Sequence, residues 1–187
     1  MVRFMGHLLK EFYIFQSYIK EVLLMNKIEA MQTVENLLKK NFKYLYKKEK
    51  LNIFELHLSF QMDSNTHELQ TSMEFQDTWV DILTFISPTA LKIEDGKYYE
   101  VLKTVNYVNW YTKANGRFYV DTYGDLAYSL RIKYDFLEAE PHMAINEIET
   151  AIDYYADLFV PLLDVCLGKK SFNDAKTFID EMWGDKE

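Results

Sequence analysis

Four histidines, His7, His57, His67 and His142, are the side chains best suited to bind a metal or move a proton, and no two share a short ligand spacing. His57 comes nearest to chemistry, because Glu55 lies two residues before it and an i, i+2 pair on a strand shares one face. Two donors hold an ion weakly, whereas zinc takes three or four, so a solvated strand face accounts for the pair better. Six glycines, Gly6, Gly96, Gly116, Gly124, Gly168 and Gly184, are too scattered for a P-loop or a G-x-G-x-x-G phosphate cradle. No serine stands in a G-x-S-x-G elbow. Glu147 with Asp153 or Asp157 falls on the polar side of a helical pattern, where solubility explains carboxylates better than acid–base work. Catalytic, cofactor-binding and metal residues are therefore expected to be absent.

Bulk composition narrows the class further. A chain of 187 residues, 49% apolar, suits one domain and buries roughly 70% of the surface its unfolded form exposes. The lone Cys166 can form no internal disulfide, which fits a reducing compartment. No uncharged apolar run approaches the ~20 residues that span a bilayer. A cytoplasmic protein that binds neither membrane nor nucleic acid is expected, the net charge of −8 opposing a phosphate-binding surface. That charge is uneven. From residue 135 onward there are thirteen acidic and four basic residues, whereas Lys39, Lys40, Lys43, Lys47, Lys48 and Lys50 cluster upstream. The cluster reads as a solvated helix end, or as a complement to the acidic helices of a second copy.

Aromatic side chains are the abundant feature: thirteen Phe, fourteen Tyr and three Trp. Tyr107, Trp110 and Tyr111 extend beyond the core face of one helical pattern, and Tyr99 prolongs the run. Exposed aromatic patches mark interaction surfaces more often than catalytic ones, although such rings can also cover a sheet.

These side chains must be positioned by the elements that the periodicity predicts. Residues 27–42 read as a helix with Ile28, Met31, Val34, Leu37 and Leu38 on one face. Alternation predicts strands at 53–62, 69–76 and 78–86, the first two joined through the turn Asp63-Ser64-Asn65-Thr66, and the third apolar on both faces and hence central. A second helix at about 97–113 is carried by Tyr98, Val101, Leu102, Val105 and Val108. A hairpin follows, 117–121 and 125–134, turning at Gly124, with Leu126, Tyr128, Leu130, Ile132 and Tyr134 on one face. Pro141 opens a long helix striped by Ile145, Ile148, Ile152, Tyr155, Phe159, Leu162 and Cys166, with a kink expected at Pro161 and an end at Gly168. Ser171 and Asp174 have capping-box spacing for a last helix, 172–183, with Ala175, Phe178, Ile179 and Met182 inward. The expected fold is a single α+β domain, α-β-β-β-α-β-β-α-α, with an antiparallel sheet flanked by helices.

The first 24 residues admit two readings. Lys20-Glu21-Val22 can be encoded AAG-GAG-GTN, a bacterial ribosome-binding sequence two codons before Met25, so 1–24 can be leader read in frame. Equally, Phe4, Leu8, Phe12, Phe15, Ile19 and Val22 recur at helical spacing, as an N-terminal extension preceding a domain at 25–187 would.

Val105-Asn106-Tyr107-Val108-Asn109, then Gly116-Arg117-Phe118-Tyr119-Val120-Asp121, Gly124-Asp125-Leu126 and Phe159-Val160-Pro161-Leu162 resemble the YbjN family, small bacterial proteins labelled sensory transduction regulators. The resemblance runs over about 27–168 by element order. It implies the fold of type III secretion chaperones, no catalytic residues and a protein partner, with homodimerisation. The helix 171–187 and the N-terminal segment depart from that pattern. Asn106 and Asn109, three apart, are expected to bond the loop before the Arg117 strand or a partner's backbone. The expected interaction face is Tyr99, Asn106, Trp110 and Tyr111, with Trp79 on the sheet as a second candidate. The alternative is an aromatic small-ligand or enzymatic pocket between sheet and long helix.

Overall fold

One helix-facing layer of side chains organises the computed structural model, which describes residues 25–62, 65–87, 93, 95–111, 115–121, 124 and 126–183. The N-terminal segment 1–24, Asp63, Ser64, Thr122, Tyr123 and Asp125 lie outside the described residues, as does the question of where the chain starts. Along β2 (Ile53–Met62), β3 (Asn65–Phe75), β4 (Trp79–Ser87) and β6 (Leu126–Lys133), alternate residues face the helices: Phe54 and Leu56, Met73 and Phe75, Val80 and Ile82, Leu130 and Ile132 are all buried. With β1 (Tyr46–Lys48) and β5 (Arg117–Val120) they form one antiparallel sheet in the order β1-β2-β3-β4-β6-β5. The fold is a single α+β domain, and β4 is central as its two apolar faces predict.

The α-helices among the described residues are α1 (Lys27–Asn41), α2 (Tyr98–Tyr111), α3 (Tyr134–Ala139), α4 (Pro141–Cys166) and α5 (Phe172–Trp183). The α4 stripe is buried at Ile145, Ile148, Ile152, Tyr155, Leu162 and Cys166, and the helix runs unbroken through Pro161. The side chain of Phe159 lies outside the described residues. Gly168 ends the helix at φ 65, the left-handed conformation that a side chain would oppose. Asn26 starts α1 with a capping box, its side chain accepting from the N–H of Ile28 and Glu29. Ser171 and Asp174 cap α5 reciprocally, Ser171 N–H donating to the carboxylate at 2.9 Å and Asp174 N–H to the hydroxyl at 3.3 Å. No helix among the described residues is long and apolar enough to cross a membrane.

Among the described residues three elements were not expected, one of them a short 3-10 turn at Glu49–Leu51. Strand β1 is exposed at all three residues and pairs with β2 through its main chain and through polar and ring contacts such as Lys48 to Glu55 and Tyr46 to His57, so no apolar alternation announces it. Helix α3 begins at Tyr134, which the alternation assigned to β6. The ring stays buried because Tyr134 N–H donates to Thr78 O at 3.0 Å and its hydroxyl to Gln76 O at 2.7 Å. Strand β3 starts at Asn65 rather than 69, with Met62 paired to Asn65, since a ladder needs no apolar side chain. Several inward assignments are also corrected. Ile28, Tyr98, Leu102, Phe178 and Met182 are exposed, whereas Ala30 on α1 and Thr104 on α2, not expected inside, are buried. Thr104 tolerates burial because its hydroxyl donates to Glu100 O at 2.8 Å, one turn back.

Candidate functional site

Helix α2 carries the expected interaction face, and its geometry divides that face. Successive steps of three and four residues put Tyr99, Leu102, Asn106 and Trp110 on one stripe. All four are exposed, Tyr99 at 73% and Trp110 at 78% of their free surface, which for large rings leaves most of the apolar area in water. Lys103 holds its ammonium 5.6 Å from the Tyr99 ring centre, where the ring's negative face attracts it. Leu102, assigned to the core from sequence, belongs to this stripe instead.

Tyr107 and Tyr111 lie to the side of this stripe, Tyr107 keeping its ring centre 6.4 Å from that of Trp110. The two ring centres lie 5.7 Å apart, and Phe172 of α5 packs edge-on to Tyr107 with its ring centre 6.0 Å away. The Tyr107 hydroxyl donates to Asp180, whose other oxygen accepts from Lys176 at 2.5 Å, and Lys176 also lies 5.0 Å from the Tyr107 ring centre. Burial, with Asp180 beside it, raises the Tyr107 pKa; hydrogen bonds from Lys176 and Tyr107 lower that of Asp180. Helix α5 thus covers half of the aromatic run, and Tyr111 is half-buried rather than part of an open face.

Asn106 and Asn109 also part company. Asn109 Nδ2 donates to Phe118 O and its Oδ1 accepts from Phe118 N–H, both at 2.8 Å. Arg117 and Tyr119 pair with β6, so Phe118 turns its main-chain groups to the outer edge of β5. The Asn109 carboxamide stands in for the next strand there. Asn106 remains exposed on the stripe.

Trp79 belongs to neither group. It sits half-buried at the start of β4, on the sheet face opposite the buried layer, and Nε1 donates to Asp81 at 2.8 Å. Arg131 covers the ring at 4.7 Å and donates through Nε to Asp81 at 2.7 Å, so Trp79 is tied into a cross-strand cluster rather than into the α2 face.

Between sheet and α4, Phe118, Tyr128, Tyr154 and Tyr155 pack against one another. Phe118 lies 4.9 Å from Tyr128 and 5.8 Å from Tyr155. Tyr155 OH donates to Leu126 O at 2.9 Å, and Tyr128 OH accepts the N–H of Gly116 at 3.1 Å. Burial pushes the Tyr128 pKa up to about 12 and that of the Cys166 thiol up to about 11, so both stay protonated near neutrality. Cys166 is a small core hydrophobe.

His57 is held on the sheet surface, Nδ1 2.9 Å from Glu68 and Nε2 3.5 Å from Glu55, with the Tyr46 ring edge-on at 4.8 Å. Glu55 is occupied by Lys48 at 2.6 Å and Gln70 at 3.1 Å. Among the described residues no group of three or more His, Cys, Asp or Glu could hold a metal ion. Of the lysine cluster, Lys39 and Lys47 both pair with Glu35, and Lys48 with Glu55, so half of it is engaged within the chain. No family model, no curated protein and no solved structure matches the chain.

Proposed function

We propose that the chain is a non-catalytic, cytoplasmic protein-binding module of the YbjN type, chaperone-like or regulatory, acting as a homodimer. The observation that carries this reading is the α2 stripe, Tyr99, Leu102, Asn106 and Trp110, with two large rings and a leucine left in water along three turns of one helix. Large aromatic anchors beside an amide are what protein interfaces use at their centres. The stripe is rigidly backed, because Val101, Thr104, Val105 and Val108 bury the other side of α2 and Asn109 ties its end to β5. A backed helix presents its rings without the ordering cost of a loop. The small-ligand alternative has weaker support, since the rings between sheet and α4 contact one another and their hydroxyls serve main-chain groups. The test is affinity capture with Trp110→Ala as control: a partner protein lost with the ring supports the face, and an unchanged profile removes it.

A further inference from the structure

Strand β6 is longer than the strand beside it, and the difference leaves main-chain groups unmatched. The β5–β6 ladder ends where Arg117 meets Ser129, yet β6 continues to Lys133. Tyr134 N–H bonds to Thr78 across β4's side, so by the two-residue alternation of an antiparallel ladder Ile132 and Leu130 also face β4. Arg131 and Lys133 therefore turn their main-chain groups toward the opposite edge. Lys133 is the N-cap of α3, so its carbonyl already serves the helix. The Arg131 N–H and C=O and the Lys133 N–H remain. Among the described residues no main-chain bond reaches them. The outer edge of neighbouring β5 is closed by Asn109, whereas among the described residues this stretch of β6 has no such cover. Among the described residues strand β2 beyond Glu55 also lacks an outer neighbour.

A cleft of about 430 Å³ runs along the β6 edge, its polar and aromatic lining being Asn115, Arg131, Lys133, Asp135, Phe136 and Glu147. Its two sides differ in chemistry. Toward the helices it offers the ring of Phe136, 36% exposed, and the half-buried Glu147, to which no hydrogen bond or ion pair is made among the described residues. Toward the outer face it offers Arg131 and Lys133. Arg131 is partly neutralised by Asp81 at 2.7 Å, whereas Lys133 makes no ion pair among the described residues.

We infer that this edge accepts a short extended segment of a partner protein as an added strand, acidic at the position facing Lys133 and apolar or basic at positions facing Phe136 and Glu147. The main-chain groups supply the pairing and the alternating side chains supply the choice. A second copy is the wrong occupant. Pairing this edge with itself would set Arg131 and Lys133 against the same two cations, and like charges directly opposite are destabilising. The inference deepens the protein-binding reading and rests on it.

The test uses the full chain, nitrogen-15 labelled, titrated with an acetylated peptide alternating glutamate and valine and followed by amide shifts. Saturable shifts at the Arg131 and Lys133 amides are expected. N-methylating the peptide on alternate nitrogens should weaken binding about tenfold in one register and leave the other unchanged, because only one set of amides faces the edge. Lys133→Glu should reverse the preference toward a lysine–valine peptide. Absence of shifts at these amides at millimolar peptide, or equal loss in both N-methyl registers, overturns the inference. Should a partner still depend on Trp110 in that case, only the β6 edge falls and the α2 face stands.

Discussion

Replacing Asn109 by alanine tests whether a side-chain amide really substitutes for a missing strand. Two bonds of 2.8 Å are removed at once, one from Phe118 N–H and one to Phe118 O. Each contributes about 0.5–1.5 kcal/mol net, so the pair amounts to about 1–3 kcal/mol, the upper end applying if water cannot reach both groups. The Phe118 side chain is buried and Asn109 half-buried, which puts rehydration on one side only. For a chain of this length that corresponds to a fall in Tm of about 2–12 °C. Asn109→Asp sharpens the argument. It keeps an acceptor for the N–H but sets a carboxylate against a carbonyl, so at pH 7 it should be at least as destabilised as the alanine variant. Its folded state would favour the protonated carboxyl and bind more protons than the unfolded chain. Stability would then rise as pH falls through the raised folded value and be lost on the way back up. Urea denaturation of both variants from pH 4 to 8, followed by tryptophan fluorescence and circular dichroism, gives the comparison. An alanine variant within about 0.3 kcal/mol of wild type, against the sum above, would refute the strand-substitute account. So would an aspartate variant with no pH dependence of its own.

Three other perturbations follow from the same geometry. A Cβ at Gly116 would meet Tyr128 Cζ at 2.4 Å, and that ring is fixed against Phe118, so Gly116→Ala should cost about 1–3 kcal/mol by overpacking, and a neutral result in urea melts would contradict it. Hydrogen bonds from Lys39 and then Lys47 hold the Glu35 carboxyl below its ordinary 4.5, so the stability it contributes is present above that value and lost as pH falls through the folded one. Glu35→Gln should therefore flatten the acid limb of Tm against pH, and an unchanged limb would dismiss the pairing. Tyr107→Phe removes the hydroxyl that binds Asp180 and should speed hydrogen exchange across residues 172–183 while leaving the β4 amides protected; equal protection of α5 in both proteins would show that the contact is idle.

Where apolar periodicity is strong, element and face are legible directly: the α4 stripe and the β2–β4 alternation are examples. Legibility fails where the main chain alone makes the structure. Strand β1 and the first residues of β3 carry no apolar signal, and the outward set of α2 depends on which neighbour packs beside it. Val101, Leu102, Val105 and Tyr98 look alike on composition, and α4 and α5 decide which of them is covered. The same tertiary choice splits Trp110 from Tyr111 and Asn106 from Asn109, pairs that spacing treats as equivalent. The unequal hairpin strands, 117–121 against 125–134, are legible in the sequence, but which main-chain groups of β6 they leave open follows only from the register, Arg117 opposite Ser129.

The most direct measurement of the central claim is affinity capture of the tagged full chain from a lysate of its source organism, in parallel with Trp110→Ala and Tyr99→Ala. Thermal melts of all three should nearly coincide, because both rings are exposed and truncating an exposed side chain seldom changes stability much. The account predicts a stoichiometric partner held by the wild type and lost or strongly depleted with either variant. Equal recovery of every co-eluting protein by all three would contradict it.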